Sequence, residues 1–454
     1  MNRFLSRGST PTLTSLFCSQ SDFPIMCQKF VAPSIKGINQ INKIQSAPAK
    51  MGTLFSFLAK AGASSAVSGL AAYYILSPEI LSPPLHNFAI FLAAMTGLLY
   101  YMRVWIHEYY FDWSYNDNRD LTGRTAVVTG GTVNGLGFAT AEILYEQGAK
   151  VILTVRTKEK GEAAVTKLSG QVSVNNDRAS YVLCDFVSEA SVRKCAAEIR
   201  SKASDGIDFL VLNAGISGRD VSKAGDTMLK DDPHAEEKMK NKFTALVWMI
   251  NYVGPWIFAK ELMPLLVQTA KRKPSDHPRV VWVSSGAHKR AQINWEDPFH
   301  PDQARAGLVS SYGQSKLGNL MHAREYQKRA RELLREESGD SKERDKMDVK
   351  CFPITPGLVW TNFIPKFRVL YPLFWFLMRS PRKGAQVIKM ACLDNDLEGG
   401  EYLSNCYVKA SEGIDGCSKD EEQWKRLWDL TARQVEEKEH EKYIEKSIVE
   451  KKKN

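Results

Sequence analysis

The chain has 454 residues, 44% hydrophobic and 25% charged. That excludes wholesale disorder, collagen-like repeats and a polytopic membrane protein, and at about 150 residues per domain it allows up to three units, although α/β domains often run longer. Sixty-one basic against 51 acidic residues leave a diffuse net charge of +10, which suits an anionic cofactor or a cytosolic membrane face and carries no basic stripe for nucleic acid. Eight scattered cysteines without C-x-x-C spacing read as reduced thiols, with no disulfide frame and no metal site.

Residues 1–50 carry six Lys or Arg against one acid, Asp22, and are rich in Ser and Thr. Such a leader is either disordered, an extension upstream of Met51, or an organellar targeting segment. Two apolar stretches follow. Thr53–Leu76 is interrupted by Lys60, and Phe88–Met102 is an uninterrupted run of 15 closed by Arg103 and Trp105. Each is marginal against the roughly 20 residues a span needs. The breaker-rich Ser77–Pro84 between them makes residues 51–110 a membrane-associated hairpin, with Lys50, Lys60, Arg103, Arg119 and Arg124 on the cytosolic side. The bland alternative is a pair of helices buried against a soluble domain.

From about Leu121 short β-rich runs alternate with helical periodicity, the pattern of βαβ units on a parallel sheet. The expected strands are Thr125–Thr129, Val151–Val155, Tyr181–Asp185, Phe209–Asn213, Val280–Ser284 and Val349–Pro353. Helices are expected near 137–147, 188–203, 244–268 and 312–336. Charged inserts at 219–242 and 335–350 read as solvated loops. The fold class is therefore α/β, a Rossmann-type doubly wound parallel sheet over about 120–410 with N-terminal membrane helices. Residues 411–454 form a charged helical tail, docked by Trp424 and Trp428 at i, i+4. Its lysines 451–453 resemble the dilysine retrieval signal of endoplasmic reticulum membrane proteins, or are simply a solvated basic end.

TGGTVNGLG at 129–137 lies directly after a strand and before a helix. Gly130, Gly135 and Gly137 sit where the chain must turn, approach a pyrophosphate and let helix pack on strand, and the helix N-terminus offers N–H groups to the phosphates. After the second strand an NAD enzyme would carry an acid for the ribose hydroxyl. Arg156 stands there instead and favours NADP(H), since a guanidinium holds a 2′-phosphate that a carboxylate would repel. A solvated strand-end arginine is the plain alternative. Tyr312 and Lys316, at i and i+4, share a helix face. A nearby cation favours the ionised phenol, so this pair can shuttle the proton that accompanies hydride transfer at a carbonyl. Ser284-Ser285 ends a strand where a hydroxyl can reach a substrate oxygen.

Together with Leu212-Asn213-Ala214-Gly215 and Pro356-Gly357-Leu-Val-Trp-Thr361, these motifs occur in the order and spacing of the short-chain dehydrogenase/reductases, which the chain resembles over about 121–410. It looks most like the membrane-bound retinol-dehydrogenase-like branch. Three features carry that: Val155-Arg156-Thr-Lys-Glu-Lys-Gly161-Glu, the long spacing from Ser285 to Tyr312, and Gly400-Glu-Tyr-Leu-Ser-Asn-Cys406. The resemblance implies that Tyr312 is the general acid/base and that Lys316 lowers its pKa and holds the nicotinamide ribose. Ser285 would polarise the carbonyl and Asn251 would support a proton-relay water. Gly130, Gly135, Leu136, Gly137 and Arg156 would hold the cofactor's phosphates, and Asp185 its adenine. Asn213, Ala214 and Gly215 would line the cofactor, and Pro356, Gly357, Val359 and Thr361 would embrace the nicotinamide. The family's TG-x-x-x-G-x-G is one residue longer here, which puts the phosphate contacts in doubt.

After the Pro-Gly motif, the apolar Tyr371–Met378 and the N-terminal segments suggest a greasy substrate entering from the bilayer. The expectation is a membrane-anchored, NADP(H)-dependent enzyme that interconverts a lipophilic alcohol and its ketone or aldehyde, of the retinoid, steroid or fatty-aldehyde class. It would sit at the endoplasmic reticulum with a cytosolic catalytic domain, a lipid droplet or mitochondrion being the alternatives. A homodimer is one assembly it allows. The rival classes are a catalytically silent, membrane-tethered cofactor-binding scaffold and a mitochondrial dehydrogenase with a cleaved leader.

Overall fold

The computed structural model describes residues 44–45, 52–75, 82–107, 113–170, 178–216, 246–296, 298, 308–337, 346–361, 376–411 and 417–451. The leader apart from Ile44–Gln45, the Ser77–Leu81 turn, the 219–242 insert, residues 363–375 and the terminal Lys452–Asn454 lie outside them.

Eight strands form one sheet: β1 Thr125–Thr129, β2 Lys150–Val155, β3 Ala179–Leu183, β4 Phe209–Leu212, β5 Arg279–Val283, β6 Lys350–Thr355, β7 Tyr402–Ser404 and β8 Tyr407–Lys409. Their order is β8-β7-β6-β5-β4-β1-β2-β3, parallel up to β7, with β8 returning antiparallel. That is a doubly wound sheet with its switch point between β1 and β4. β1, β4 and β5 are buried along their whole length, as the apolar runs of a parallel sheet covered on both faces must be. The third strand starts two residues earlier than its sequence suggests, because its ladder with β2 begins at Val151↔Ala179 and ends at Val155↔Leu183, leaving Asp185 in the following turn. Residues Ile44–Gln45 pair antiparallel with Ser114–Tyr115.

The helices are α1 Gly52–Ile75, α2 Pro83–Ile106, α3 Leu136–Glu146, α4 Lys158–Ser169, α5 Glu189–Lys202, α6 Gly254–Arg272, α7 Leu308–Glu337, α8 Pro381–Gly384, α9 Gln386–Leu393 and α10 Glu421–Lys451. On one face, Val192, Phe258, Leu262, Leu317, Met321 and Tyr326 from α5–α7 join Trp428 of α10 in a single core. On the other, Phe138 of α3, Leu168 of α4 and Met390 of α9 cover the sheet. The sequence suggested no helix at α4. It is strongly polar, burying only Gly161, Ala164 and Leu168, and a Cβ on Gly161 would lie 2.4 Å from the Tyr181 ring.

α1 and α2 pack as an antiparallel pair. Ser64 donates to the Gly97 carbonyl and Ser65 to that of Ala94, at 3.2 and 2.9 Å. Their outer faces expose Val67, Leu70, Ile75, Phe88, Phe91 and Leu92. Among the described residues α2 is long and apolar enough to cross a membrane, by length and composition. His107, immediately after α2, pairs its Nε2 with the Phe376 carbonyl at 2.7 Å.

Candidate active site

The carboxyl ends of the parallel strands bring the expected residues to one edge of the sheet. After β1 the chain turns through Gly130 (φ 72°) and Gly131, whose N–H groups both donate to the Thr154 carbonyl. The extra residue of the glycine loop is absorbed locally. Gly135 N–H closes a turn on the Thr132 carbonyl at 3.0 Å, with Asn134 in the left-handed region (φ 66°) that a short polar side chain tolerates. α3 follows at once, with Gly135 at its N-cap and Leu136 its first residue. A Cβ on Gly137 would meet Asn213 Nδ2 at 2.5 Å and the Gly130 carbonyl at 2.6 Å, so only glycine lets helix, loop and β4 close together.

Asn213 and Ala214 donate their backbone N–H groups to the Thr129 hydroxyl, each at 2.9 Å, and Asn213 Nδ2 donates to the Thr129 carbonyl at 2.8 Å. Arg156 is exposed directly after β2, at the start of α4. Asp185 is exposed after β3, where its Oδ1 accepts the Val187 N–H at 3.1 Å.

On the other side of the switch point, Asn251 lies in a single π-helical turn, Met249–Val253, that leads into α6. The sequence gives no sign of that irregularity. Asn251 is buried; its Oδ1 accepts the Ile216 N–H at 2.7 Å, and its Nδ2 donates to the Ile216 carbonyl and to Ser315 Oγ. Ser315 in turn donates to the Tyr312 carbonyl at 2.8 Å, so one hydroxyl ties Asn251 to the turn that carries Tyr312. Ser315 was not singled out from the sequence, and its position inside Tyr-x-x-x-Lys is the only signal that could have found it. A Cβ on Gly215 would lie 3.1 Å from Asn251 Oδ1 and 3.4 Å from Lys316 Nζ, so these three residues converge.

The two serines separate by hydrogen bonding. Ser284 is buried and donates to the Lys316 carbonyl at 2.7 Å, a structural strut. Ser285 caps a short 3-10 turn, accepting the Ala287 N–H, and its side chain is hydrogen-bonded to Tyr312. His288, buried in that turn, holds the Ser285 carbonyl through Nδ1 at 2.6 Å; burial depresses its pKa and keeps the imidazole neutral. It too escaped the sequence reading.

Tyr312 and Lys316 share a face of α7, with Nζ 5.5 Å from the phenol ring centroid. The electrostatics differ from the expectation that the ammonium lowers the phenol. Burial pushes Tyr312 up to about 12, offset in part by the Ser285 hydrogen bond. Burial pulls Lys316 down to about 8. The ammonium turns instead to the Val283 carbonyl, 3.0 Å away. Both groups lose solvation together, and desolvation disfavours the charged form of each.

After β6, Gly357 takes φ 80°, and a Cβ there would lie 2.9 Å from the Arg379 guanidinium. Arg379 donates to the Pro356 carbonyl and to Asn405, and its backbone pairs with Val359, so it braces the turn that leads to Thr361. Among the described residues no group of His, Cys, Asp and Glu side chains could hold a metal ion.

A family model described as short chain dehydrogenase matches residues 124–296. A cattle (Bos taurus) protein named dehydrogenase/reductase SDR family member 13 is 33% identical over 319 residues, 68% of this chain and 73% of its own. Its human (Homo sapiens) counterpart is 32% identical over 69% and 74%. A solved structure of an uncharacterised Mycobacterium paratuberculosis protein aligns with 25% identity over 69% of this chain and 94% of its own, at a TM-score of 0.46.

Proposed function

Because the chain belongs to the short-chain dehydrogenase/reductase family, an oxidoreductase family, we propose that it is a membrane-anchored, NADP(H)-dependent enzyme that interconverts a lipophilic alcohol and its ketone or aldehyde. The convergence of Ser285, Tyr312, Lys316 and Asn251 at one edge of the sheet carries this reading.

The residues at the switch point fit a dinucleotide. The Gly130–Gly137 loop is kept free of Cβ atoms where helix and strand close, and Arg156 and Lys158 flank the first turn of α4 with positive charge. The loop and the first turn of α3, with Leu136, would hold the pyrophosphate, and Arg156 the 2′-phosphate. Asp185 would meet the adenine, Asn213-Ala214-Gly215 would line the nicotinamide half, and Pro356, Gly357, Val359 and Thr361 would close over its amide. Bound there, the nicotinamide supplies or takes up the hydride.

The chain's own residues do the rest. In the reductive direction Ser285 donates a hydrogen bond to the carbonyl oxygen and Tyr312 delivers its proton there. A Tyr312 held near 12 is a well-stocked acid at neutral pH. In the oxidative direction the same phenol must first lose its proton, which burial opposes and the Ser285 hydrogen bond eases; Lys316 would hold the nicotinamide ribose. Asn251 orients the path by which that proton is replaced. The exposed apolar faces of α1 and α2 support anchoring in a bilayer, and the His107–Phe376 contact joins that anchor to the segment after the Pro-Gly motif, from which a greasy substrate would enter. The silent-scaffold alternative rests on the lengthened glycine loop, in which Gly135 N–H closes a turn on Thr132.

The test is fluorescence titration of the full chain with NADPH and NADH, in wild type and Arg156→Glu, followed by turnover of retinoid, steroid and fatty-aldehyde carbonyls. The expected result is preferential NADPH binding, weakened about 10- to 100-fold by the substitution, and reduction of at least one lipophilic carbonyl. Tight NADPH binding with no turnover across the panel would return the protein to the scaffold reading.

A further inference from the structure

The C-terminal helix α10 lies wholly beyond the segment that the family model matches, yet it packs on α7 and enters the same core as the candidate site. Trp428 stacks on His322 of α7 with ring centroids 4.5 Å apart and an interplanar angle of 12°, and meets Trp256 of α6 edge-on at 5.2 Å. One turn on, Thr431 Oγ1 lies 3.1 Å from the hydroxyl of Tyr252, which also lies 3.5 Å from His322 Nδ1. Thr431 donates its only hydroxyl proton to the Leu427 carbonyl at 2.8 Å. It is therefore the acceptor, and Tyr252 the donor.

Tyr252 is the neighbour of Asn251 in the π turn. Its ring lies against Gly318, where a Cβ would come within 2.8 Å of Cδ2, two residues past Lys316. A π turn is a local irregularity with little stability of its own and is held by what surrounds it. Two anchors hold this one: the Asn251 carboxamide on Ile216 and Ser315, and the Tyr252 hydroxyl on Thr431. Every side chain in the second anchor is buried, so losing the Thr431 acceptor leaves a desolvated phenol proton whose remaining neighbour is His322 Nδ1 at a long 3.5 Å, and closing on it shifts the Tyr252 ring and the turn that carries it.

We propose that α10 sets the position of Asn251 through the Tyr252–Thr431 hydrogen bond, which makes the C-terminal helix a positioning element of the reaction site. The kinetic part of this inference rests on the oxidoreductase reading above, whereas its structural part does not.

The experiment compares full-chain wild type with Thr431→Val, Thr431→Ser, Tyr252→Phe and Asn251→Ala. It reads hydrogen exchange at the Ile216 amide, which Asn251 Oδ1 holds, together with kcat and KM for NADPH and a lipophilic carbonyl. Thr431→Val and Tyr252→Phe should each speed Ile216 exchange and lower kcat by roughly three- to tenfold while KM for NADPH stays within about twofold. Thr431→Ser, which keeps the hydroxyl, should restore both readouts. Thr431→Val added to Asn251→Ala should change neither further, since the two act through one group. A Thr431→Val protein with a lowered melting temperature but wild-type Ile216 exchange and kcat overturns the proposal, as does an effect that adds fully to that of Asn251→Ala. If wild type turns over no carbonyl in the panel, the oxidoreductase reading fails, and the exchange readout alone decides whether α10 holds Asn251.

Discussion

The two flanks of the sheet's carboxyl edge are built differently. On the β4–β6 side, Asn251, Ser284, Ser315 and Lys316 are buried and tied by named hydrogen bonds to backbone or to one another. On the β2–β3 side, Arg156 and Asp185 stand exposed after their strands, and Asp185 bonds to Val187 in its own turn and to Ser191 at the start of α5. On the proposed function, the first arrangement would make reaction geometry a property of the folded core. The second would leave cofactor choice to side chains that packing does not constrain. Reactivity and selectivity can therefore be altered independently, and the cost in stability should differ between the flanks.

The strongest test of that contrast is Tyr312→Phe, which removes the proposed proton donor and leaves the ring. It should lower kcat by about 10²- to 10⁴-fold with little change in NADPH affinity measured by fluorescence. Comparable turnover in the variant would break the reading of the buried flank as reactive. Lys316→Met probes the same flank through pH. The folded pKa of Lys316, about 8, lies below the ordinary 10.5, so between those values the unfolded chain binds the proton more than the folded one. Folding stability contributed by this group therefore rises with pH across that window, and below it burial of the charge is destabilising. The methionine variant should gain up to about 3 kcal/mol on wild type at pH 7 and lose that advantage by about pH 10.5, as denaturant melts at several pH values would report.

Ser284→Ala against Ser285→Ala sharpens the division within one dipeptide. The former should cost about 1 kcal/mol of stability by deleting a buried hydrogen bond to the Lys316 carbonyl and leave kcat largely intact; the latter, which loses only a long turn cap on Ala287, should cost less and lower kcat. At the small end, Arg156→Ala should alter stability by no more than about 0.5 kcal/mol while weakening NADPH binding. A clear fall in melting temperature there would show that the exposed flank is structural after all.

How much of this was legible in the sequence follows the same division. β1 was readable to the residue, and the glycine string, Asn213-Ala214-Gly215 and Tyr-x-x-x-Lys announced the edge they occupy, because each motif is short and its chemistry lies along the chain. What escaped is tertiary. The π turn at Met249–Val253 is held by partners distant in the chain, Ile216 for Asn251 and Thr431 for Tyr252, and no local propensity encodes it. Arg379 braces Gly357 from a separate segment, and Ser315 and His288 serve backbone carbonyls, which leaves no compositional trace. α4 was missed because its buried stripe is thin, and the β7–β8 hairpin because its strands have only three residues each. The direction of the Tyr312 shift was hidden for a related reason: spacing shows that two groups share a helix face, but not that both are dehydrated there.

The seam between β1 and β4 has a mechanical consequence. Their ladder ends at Val128↔Val211, and one step later the Thr129 hydroxyl, rather than a peptide oxygen, receives the amides of Asn213 and Ala214. The two halves of the sheet thus part around a side chain instead of another rung. The opening between them is set by the reach of a single Cβ–Oγ bond, a dimension that valine would nearly preserve in shape while removing the oxygen on which both amides close.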